Sequence, residues 1–341
     1  MLSINRFVKH TVELADAFGI DVLVSGVPLK NPPVDYTGFR AVRPMVSFNT
    51  IVARTQPDRL ILHIPEVCTQ DFVEGLKEHH LRWLKSIPRL QINIMNQNNE
   101  LMPDPLYVEK CRDITDEVTI TAAHLGYATQ DLADNYDCPV GLLTPFLPEF
   151  DRTDFEKKEK TIVLSPDDSL PPGGVTKERV LNMIARELPD YKTIVIENMK
   201  FDVYRKTISS ARFAITFGEG YDGYFLEPFL CDSVAFAVYN ETFFPSEFAD
   251  LPTIYTSWES LYDNLAADIR RLEAHADEYR RVQAVTEKLI RRYTSREISW
   301  RNLVDFYRRK FTFLPKIYRD SALFANDSDP MDGRKQGLVN E

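Results

Sequence analysis

Short apolar runs alternate with amphipathic helical stretches along most of the chain, the pattern that parallel α/β sheets leave in a sequence. Residues 5–19, "NRFVKHTVELADAFG", read as a helix closed by Gly19 and followed by the strand "DVLVSG". A short helix "FNTIVARTQ" and a strand "DRLILHI" come next. "TQDFVEGLKEHHLRWLKSI" reads as one helix with Thr69 as its N-cap. Strand "LQINIM", helix "PLYVEKCRDI", strand "EVTITAA", helix "TQDLADNY" and strand "VGLLTP" complete a first half. The rhythm breaks at 146–160, "FLPEFDRTDFEKKEK", which is rich in charge, contains proline and has no apolar period, and so reads as an interdomain linker. It restarts with "TIVLSP", "KERVLNMIARELP", "TIVIEN", "DVYRKTISSA", "FAITFG", "LEPFLCD", "VAFAVYN" and "TIYT". Two long helices follow, at about 258–292 and 297–311, and then a polar tail. The pattern predicts two Rossmann-like domains, 1–148 and 149–320 with the closing helices, and a disordered tail over 321–341.

In open parallel sheets, ligands bind beyond the carboxyl ends of the strands. Two such sheets facing each other make a cleft, so the residues just after strands are the candidates. That rule selects His63, Asn96, His124, Gly173, Gly174 and the 218–227 turn.

Composition narrows the classes. A net charge of −10 over 341 residues argues against a general nucleic-acid binder. The charge is uneven: residues 280–319 hold twelve Lys/Arg against three acids, a local +9 that leaves −19 on the remainder. With Trp300, Phe306, Tyr307, Phe311 and Phe313 among those cations, this segment suits peripheral contact with an anionic membrane face. The plainer reading is a solvated face whose aromatics pack on the core. No apolar run approaches the ~20 residues of a spanning helix. The start of the chain lacks the apolar stretch and cleavage site of a secretion signal. The four cysteines stand singly, so reduced thiols in a cytoplasmic setting are the default and a zinc site is not expected.

The most informative stretch is "ITFGEGYDGYFLEPFLCDSVAFAVYN", residues 215–240. Glu219 follows an apolar strand and Glu227 stands eight positions on, at the start of a helix. Gly218, Gly220 and Gly223 let backbone approach a ligand closely. A helix start attracts phosphate, and a carboxylate can accept two sugar hydroxyls, so the pattern suits a nucleotide-linked sugar. An ordinary βα turn with surface acids is the plainer reading. Lys177 opens a helix and could meet a phosphate or only solvent. His63 and His124 suit acceptor positioning or packing beneath a loop. Asn96 begins "NQNN", which is equally a polar loop. "PDD" at 166–168 and "DSD" at 327–329 are weak metal-type aspartate pairs on loops.

The segment "EGYDGYFLEPFLCDSVAFAV" resembles the E-x7-E region of retaining GT-B glycosyltransferases of family 4. "TQPDRLILHIPE", "TKERVLNMIARELPDYKTIVIEN" and "YTSREISWRNLVDFYRRKF" resemble other elements of that family, so weak similarity covers most of 4–311. The resemblance implies a donor sugar nucleotide bound mainly by the second domain. Glu227 would hold the ribose, Glu219 would face the donor sugar, and Lys177 would neutralise the diphosphate. Gly173, Gly174, Gly220, Tyr221, Asp222 and Gly223 would line the donor site, with His63, Asn96 and His124 on the acceptor side. No metal or other cofactor is implied. The acceptor would be a saccharide or glycoconjugate.

There are departures. The family's first strand and glycine-rich loop are not found, and its Gly-Arg after the second domain's first strand is Ser165–Pro166 here. Two other readings stay open: a non-catalytic GT-B-like subunit that partners a catalytic transferase, and a GT-B-fold sugar-nucleotide epimerase. The latter would need carboxylates and histidines poised for proton abstraction.

Overall fold

The computed structural model describes residues 20–25, 45–144, 146–147, 149–167 and 174–316. The helix read over 5–19, Asp168, Gly173 and the tail lie outside them. Strand β1 (Val24–Ser25) pairs in parallel with β2 (Met45–Val46) as a small sheet of its own. Helix α1 (Phe48–Arg54), capped by the Ser47 hydroxyl, leads to β3 (Arg59–Pro65). Then come α2 (Thr69–Gly75), α3 (Glu78–Lys85), β4 (Arg89–Asn96), α4 (Pro105–Arg112), β5 (Glu117–Ala122), α5 (Gln130–Tyr136) and β6 (Val140–Leu142). Strands β3 to β6 lie side by side in chain order, all parallel. Every crossover therefore steps in one direction, and right-handed connections put α2 to α5 on one face. That face is apolar: Leu90, Ile92 and Ile94 alternate with Val118 and Ile120 beneath Trp83, Leu84, Val108 and Leu132.

The second half has a different order. It runs β7 (Glu159–Leu164), α6 (Lys177–Glu187), β8 (Lys192–Val195), α7 (Phe201–Ser210), β9 (Ala211–Ile215), α8 (Gly223–Leu230), β10 (Val234–Val238) and β11 (Ile254–Tyr255). Three helices close it: α9 (Trp258–Ala274), α10 (Ala276–Thr294) and α11 (Arg296–Tyr307). The spatial order is β8-β7-β9-β10-β11, all parallel, so the winding direction reverses between β7 and β9. At such a reversal the loops leaving the two strands diverge to opposite faces and open a crevice. Phe213, Ile215, Val234 and Phe236, all fully buried, pack in the core below it.

The other face of the first sheet is polar and buried. Gln91 donates to Thr119, Thr119 to the side-chain oxygen of Asn93, and the Asn93 side-chain amide to Thr121, at 2.8–3.1 Å. Among the described residues its cover is α11, which returns from the second half to seat Leu303, Phe306 and Tyr307 on Met95 and Leu143. Beyond it Phe313 bridges to Val140. The aromatic residues of the basic segment thus point inward. Its cations are partly paired: Arg280 with Glu156, Arg291 with Glu287 at 2.8 Å, and Arg309 with Glu117 at 3.3 Å.

Two helices are shorter than their patterns predict. The 69–87 helix breaks after Gly75, and α3 restarts where His80 Nδ1 accepts from the Lys77 amide at 3.1 Å. The 258–292 helix breaks at His275, whose ring nitrogen and amide both lie on the Arg271 carbonyl. No described helix is long and apolar enough to cross a membrane.

The halves meet closely at Gly126, where a Cβ would collide with the Thr242 carbonyl, and beside it Phe243 packs against both cores. Gly126→Ala should therefore cost about 1–3 kcal/mol of stability by overpacking the seam. Gly75→Ala, with nothing within 4 Å of its Cβ position, should change stability by less than about 1 kcal/mol. Equal effects in chemical denaturation would contradict a close-packed seam.

Candidate active site

The loop that follows β9 is shaped by one carboxylate. Asp222 Oδ2 accepts from the Thr216 hydroxyl at 2.8 Å, and Oδ1 accepts from the amides of Tyr224 and Phe225 at 2.8 and 3.1 Å. The end of β9 and the start of α8 are thereby stapled together, and residues 217–221 must arch between them. Burial raises the Asp222 pKa to about 6 against the opposing pull of those donors. Gly220 closes the arch at φ +85°, where a Cβ would stand 2.9 Å from the Val238 carbonyl. Glu219 sits at the apex, half-buried.

The loop leaving β7 is fastened to the same crevice. The Phe217 amide donates to Ser165 Oγ at 2.9 Å, and the Asp167 carboxylate lies against Gly218. Lys177 Nζ donates to the carbonyls of Ser165, Pro166 and Asp167 at 2.7, 3.0 and 3.1 Å, with the Phe217 ring 5.4 Å away. Three contacts match the three protons of an ammonium. Phe217 in turn stacks on Trp258 at 5.6 Å.

The first sheet faces this crevice with its carboxyl edge. Asn98 Nδ2 donates to Glu219 Oε1 at 3.3 Å, joining the two halves directly. The His124 ring lies 5.4 Å from Tyr127 and 6.4 Å from Tyr221. Asn96 is fully buried, with Nδ2 on Asn99 Oδ1 at 2.6 Å and Oδ1 unpartnered. Acidic groups dominate: burial first, then Asp222, Asp167 and Glu100, push the Glu219 carboxyl up to about 7. Burial pulls His124 down to about 4, so its ring is neutral at physiological pH.

The structure brings Glu219, Gly220, Tyr221, Asp222, Lys177 and His124 to one seam. Glu227 lies deeper than the sequence suggests. Because Asp222 caps the helix one turn early, Glu227 is the fifth residue of α8, fully enclosed, with Oε2 accepting from Tyr204 at 2.6 Å. Its other oxygen lies over Gly223, where a Cβ would come within 3.3 Å. The phosphate site expected at that helix start is filled by the Asp222 carboxylate. Gly174 precedes α6, while Gly173 lies outside the described residues. His63 lies within β3, facing α11: Nδ1 meets Asn93 at 3.1 Å, Nε2 meets Tyr307 at 3.4 Å, and burial lowers its pKa to about 3. The sequence does not mark Asn98, Tyr127 or Tyr204 as site residues, and it marks Asp167 only as part of a weak metal-type aspartate pair. Asn98 and Asp167 sit in "NQNN" and "PDD", whereas nothing in the sequence marks Tyr127. Among the described residues no group of three or more His, Cys, Asp or Glu could hold a metal ion.

No protein-family model matches the chain, and no curated protein sequence matches it. Solved structures do. The chain is similar to a glycosyltransferase from Rickettsia africae ESF-5, with TM-score 0.51 and 8% identity over 91% of this chain and 95% of that one. It is similar to TarM, with TM-score 0.50 and 10% identity over 74% of this chain and 55% of that one. A glycosylation associate protein (Gap123) complex from Streptococcus agalactiae matches at TM-score 0.46 and 11% identity, and this chain spans 56% of that chain's length. The fold is accordingly the α/β GT-B architecture of two parallel sheets across a cleft.

A carboxyl with its folded pKa near 7 and an ordinary value of 4.5 binds more protons folded than unfolded between those limits. Stability should then fall as pH rises from 4.5 to 7 and stay low above it. Glu219→Gln removes this term while keeping an acceptor for Asn98. The variant should gain on the parent across that window in melting experiments. A stability difference that is flat with pH would contradict the buried, acid-ringed setting of Glu219.

Proposed function

We propose that the chain is a glycosyltransferase that moves a sugar from a nucleotide-sugar donor to a saccharide or glycoconjugate acceptor, with retention. One observation carries the reading: Glu219 stands at the reversal point of the second sheet and is met there by Asn98 from the edge of the first. Glu219 is then the carboxylate that takes a donor-sugar hydroxyl and orients the anomeric carbon toward an acceptor on the first half. Glu227 takes the ribose, which it can reach only if the Gly223–Tyr224 turn gives way. Lys177 offsets diphosphate charge directly or through the 165–167 loop it holds, with no metal or other cofactor. The domain division at 148–149 belongs to the same reading, with α11 reaching back to the first half. Any membrane contact falls to the exposed Arg281, Lys288 and Arg292 of α10, as electrostatics without the inward-facing aromatics.

A second reading, a non-catalytic GT-B-like subunit, is favoured by the same site's electrostatics. The Lys177 ammonium is already bonded to three carbonyls, the α8 amides are capped by Asp222, and Asp167 and Glu100 add negative charge where a diphosphate would lie.

Thermal-shift screening against UDP, GDP, dTDP and CMP sugars tests the first reading, since a ligand of the folded state raises the melting point. With the sugar nucleotide so found, Glu227→Gln should weaken nucleotide binding by about 1.5–3 kcal/mol, the scale of a charge-assisted hydrogen bond. Glu219→Gln should keep nucleotide affinity within about threefold and cut turnover by at least ~10²-fold. Parental turnover in Glu219→Gln would remove that residue from the chemistry.

A further inference from the structure

Gly223 is the first residue of α8, yet its backbone does not call for glycine. Among the described glycines Gly220 alone has a positive φ, and glycine is a poor helix former. What the missing side chain leaves is a thin cover over Glu227. Apart from the adjoining chain, the three heavy atoms nearest to a Cβ built there all belong to the Glu227 carboxyl: Oε1 at 3.3 Å, Cδ at 3.4 Å and Oε2 at 3.8 Å. Gly223 is half-buried whereas Glu227 is fully enclosed, so a group approaching over the start of α8 has no side chain to displace at this one residue. A methyl there would stand against Oε1 and close that approach. The carboxylate beneath is also held in place. Tyr204 of α7, itself buried, donates to Oε2 at 2.6 Å, the length of a strong bond between a hydroxyl and a carboxylate. The Tyr204 ring in turn meets Tyr224 edge-on at 6.0 Å. One phenol takes one of the roughly four acceptor positions that a carboxylate offers, and Oε1 is the oxygen nearer Gly223.

We propose that Gly223 is the opening through which the hydroxyl pair of a ribose reaches Glu227, and that Tyr204 is the positioning residue that holds the carboxylate beneath it. This rests on the reading of Glu227 as the ribose group and deepens it, because the turn that must give way is thinnest at a residue with no side chain. The chemistry of the opening selects its occupant. Carboxylates accept hydrogen bonds from hydroxyls and repel phosphate, and the Asp222 carboxylate that caps the same helix adds the same sign. A vicinal diol, which can place two donors on one carboxylate, suits this spot, and the diphosphate does not.

The test compares the affinities of UDP and GDP with those of their dideoxyribose counterparts by calorimetry. The parent should prefer one ribonucleotide by at least about tenfold, the scale of a charge-assisted hydrogen bond. Gly223→Ala should bring the two forms within about threefold of each other by weakening the ribonucleotide alone. Tyr204→Phe keeps the ring and deletes the donor, so it tests the proposal without any strain from an added methyl. It should lower the same preference by about threefold or more. Gly75→Ala, with nothing within 4 Å of its Cβ position, should leave both affinities in place. A ribose preference unchanged in folded Gly223→Ala and Tyr204→Phe would overturn the proposal, as would a parent that binds both forms equally or neither. A purely structural Tyr204–Glu227 pair would weaken both forms alike, which also overturns it. Sugar transfer without ribose preference would defeat the opening and keep the transferase reading. A ribose preference that the variants abolish, in a chain that turns over no sugar nucleotide, would keep the opening and defeat only the transferase reading.

Discussion

A half-buried carboxylate must find donors, and Asp222 finds three: the Thr216 hydroxyl and two amides of α8. That requirement fixes where β9 ends, where α8 starts and how residues 217–221 arch between them. Glu219 is carried at the apex because the staple spans only six residues, and Gly220 is needed because the arch closes through a left-handed conformation. Losing a capping carboxylate of this kind costs roughly 1–2 kcal/mol, so the arch is a stable feature of the second half.

The arch matters because of what it faces. Strand order reverses between β7 and β9, which opens the crevice, and the first sheet closes it from the opposite side. Besides the Asn98–Glu219 bond, packing contacts hold the halves in that relation. Helix α11 crosses back to cover a sheet face that the one-directional winding of β3 to β6 leaves to others, and Gly126 admits the Thr242 carbonyl. Among the described residues the resulting seam is acidic and half-buried. Those conditions raise the proton affinity of Glu219 and suit hydroxyl-rich ligands better than bare phosphate.

Much of this was legible in the sequence. The apolar runs gave the strands of both sheets, and the stretch from Glu219 to Glu227 pointed to the crevice. What escaped depends on side chains that act at a distance. The break after Gly75 needs His80 to cap the Lys77 amide, which no apolar period reveals. The start of α8 was placed late because the apolar run begins after the cap that Asp222 provides, and so Glu227 looked more accessible than it is. Lys177 reads from the sequence as meeting a phosphate or solvent, and the three carbonyls it bonds are not visible there. His63 ends an apolar run in the sequence, yet the strand continues to Pro65 and turns the ring toward Tyr307.

The central claim is that the crevice at Glu219 and the facing edge of the first sheet form one sugar-transfer site. The most direct measurement mixes the purified chain with each nucleotide sugar and a saccharide acceptor, and quantifies nucleoside diphosphate and glycosylated product together. The account predicts that one donor yields the two in equal amounts, with the anomeric configuration kept. A folded chain that releases no diphosphate from any donor, with or without acceptor, would contradict it.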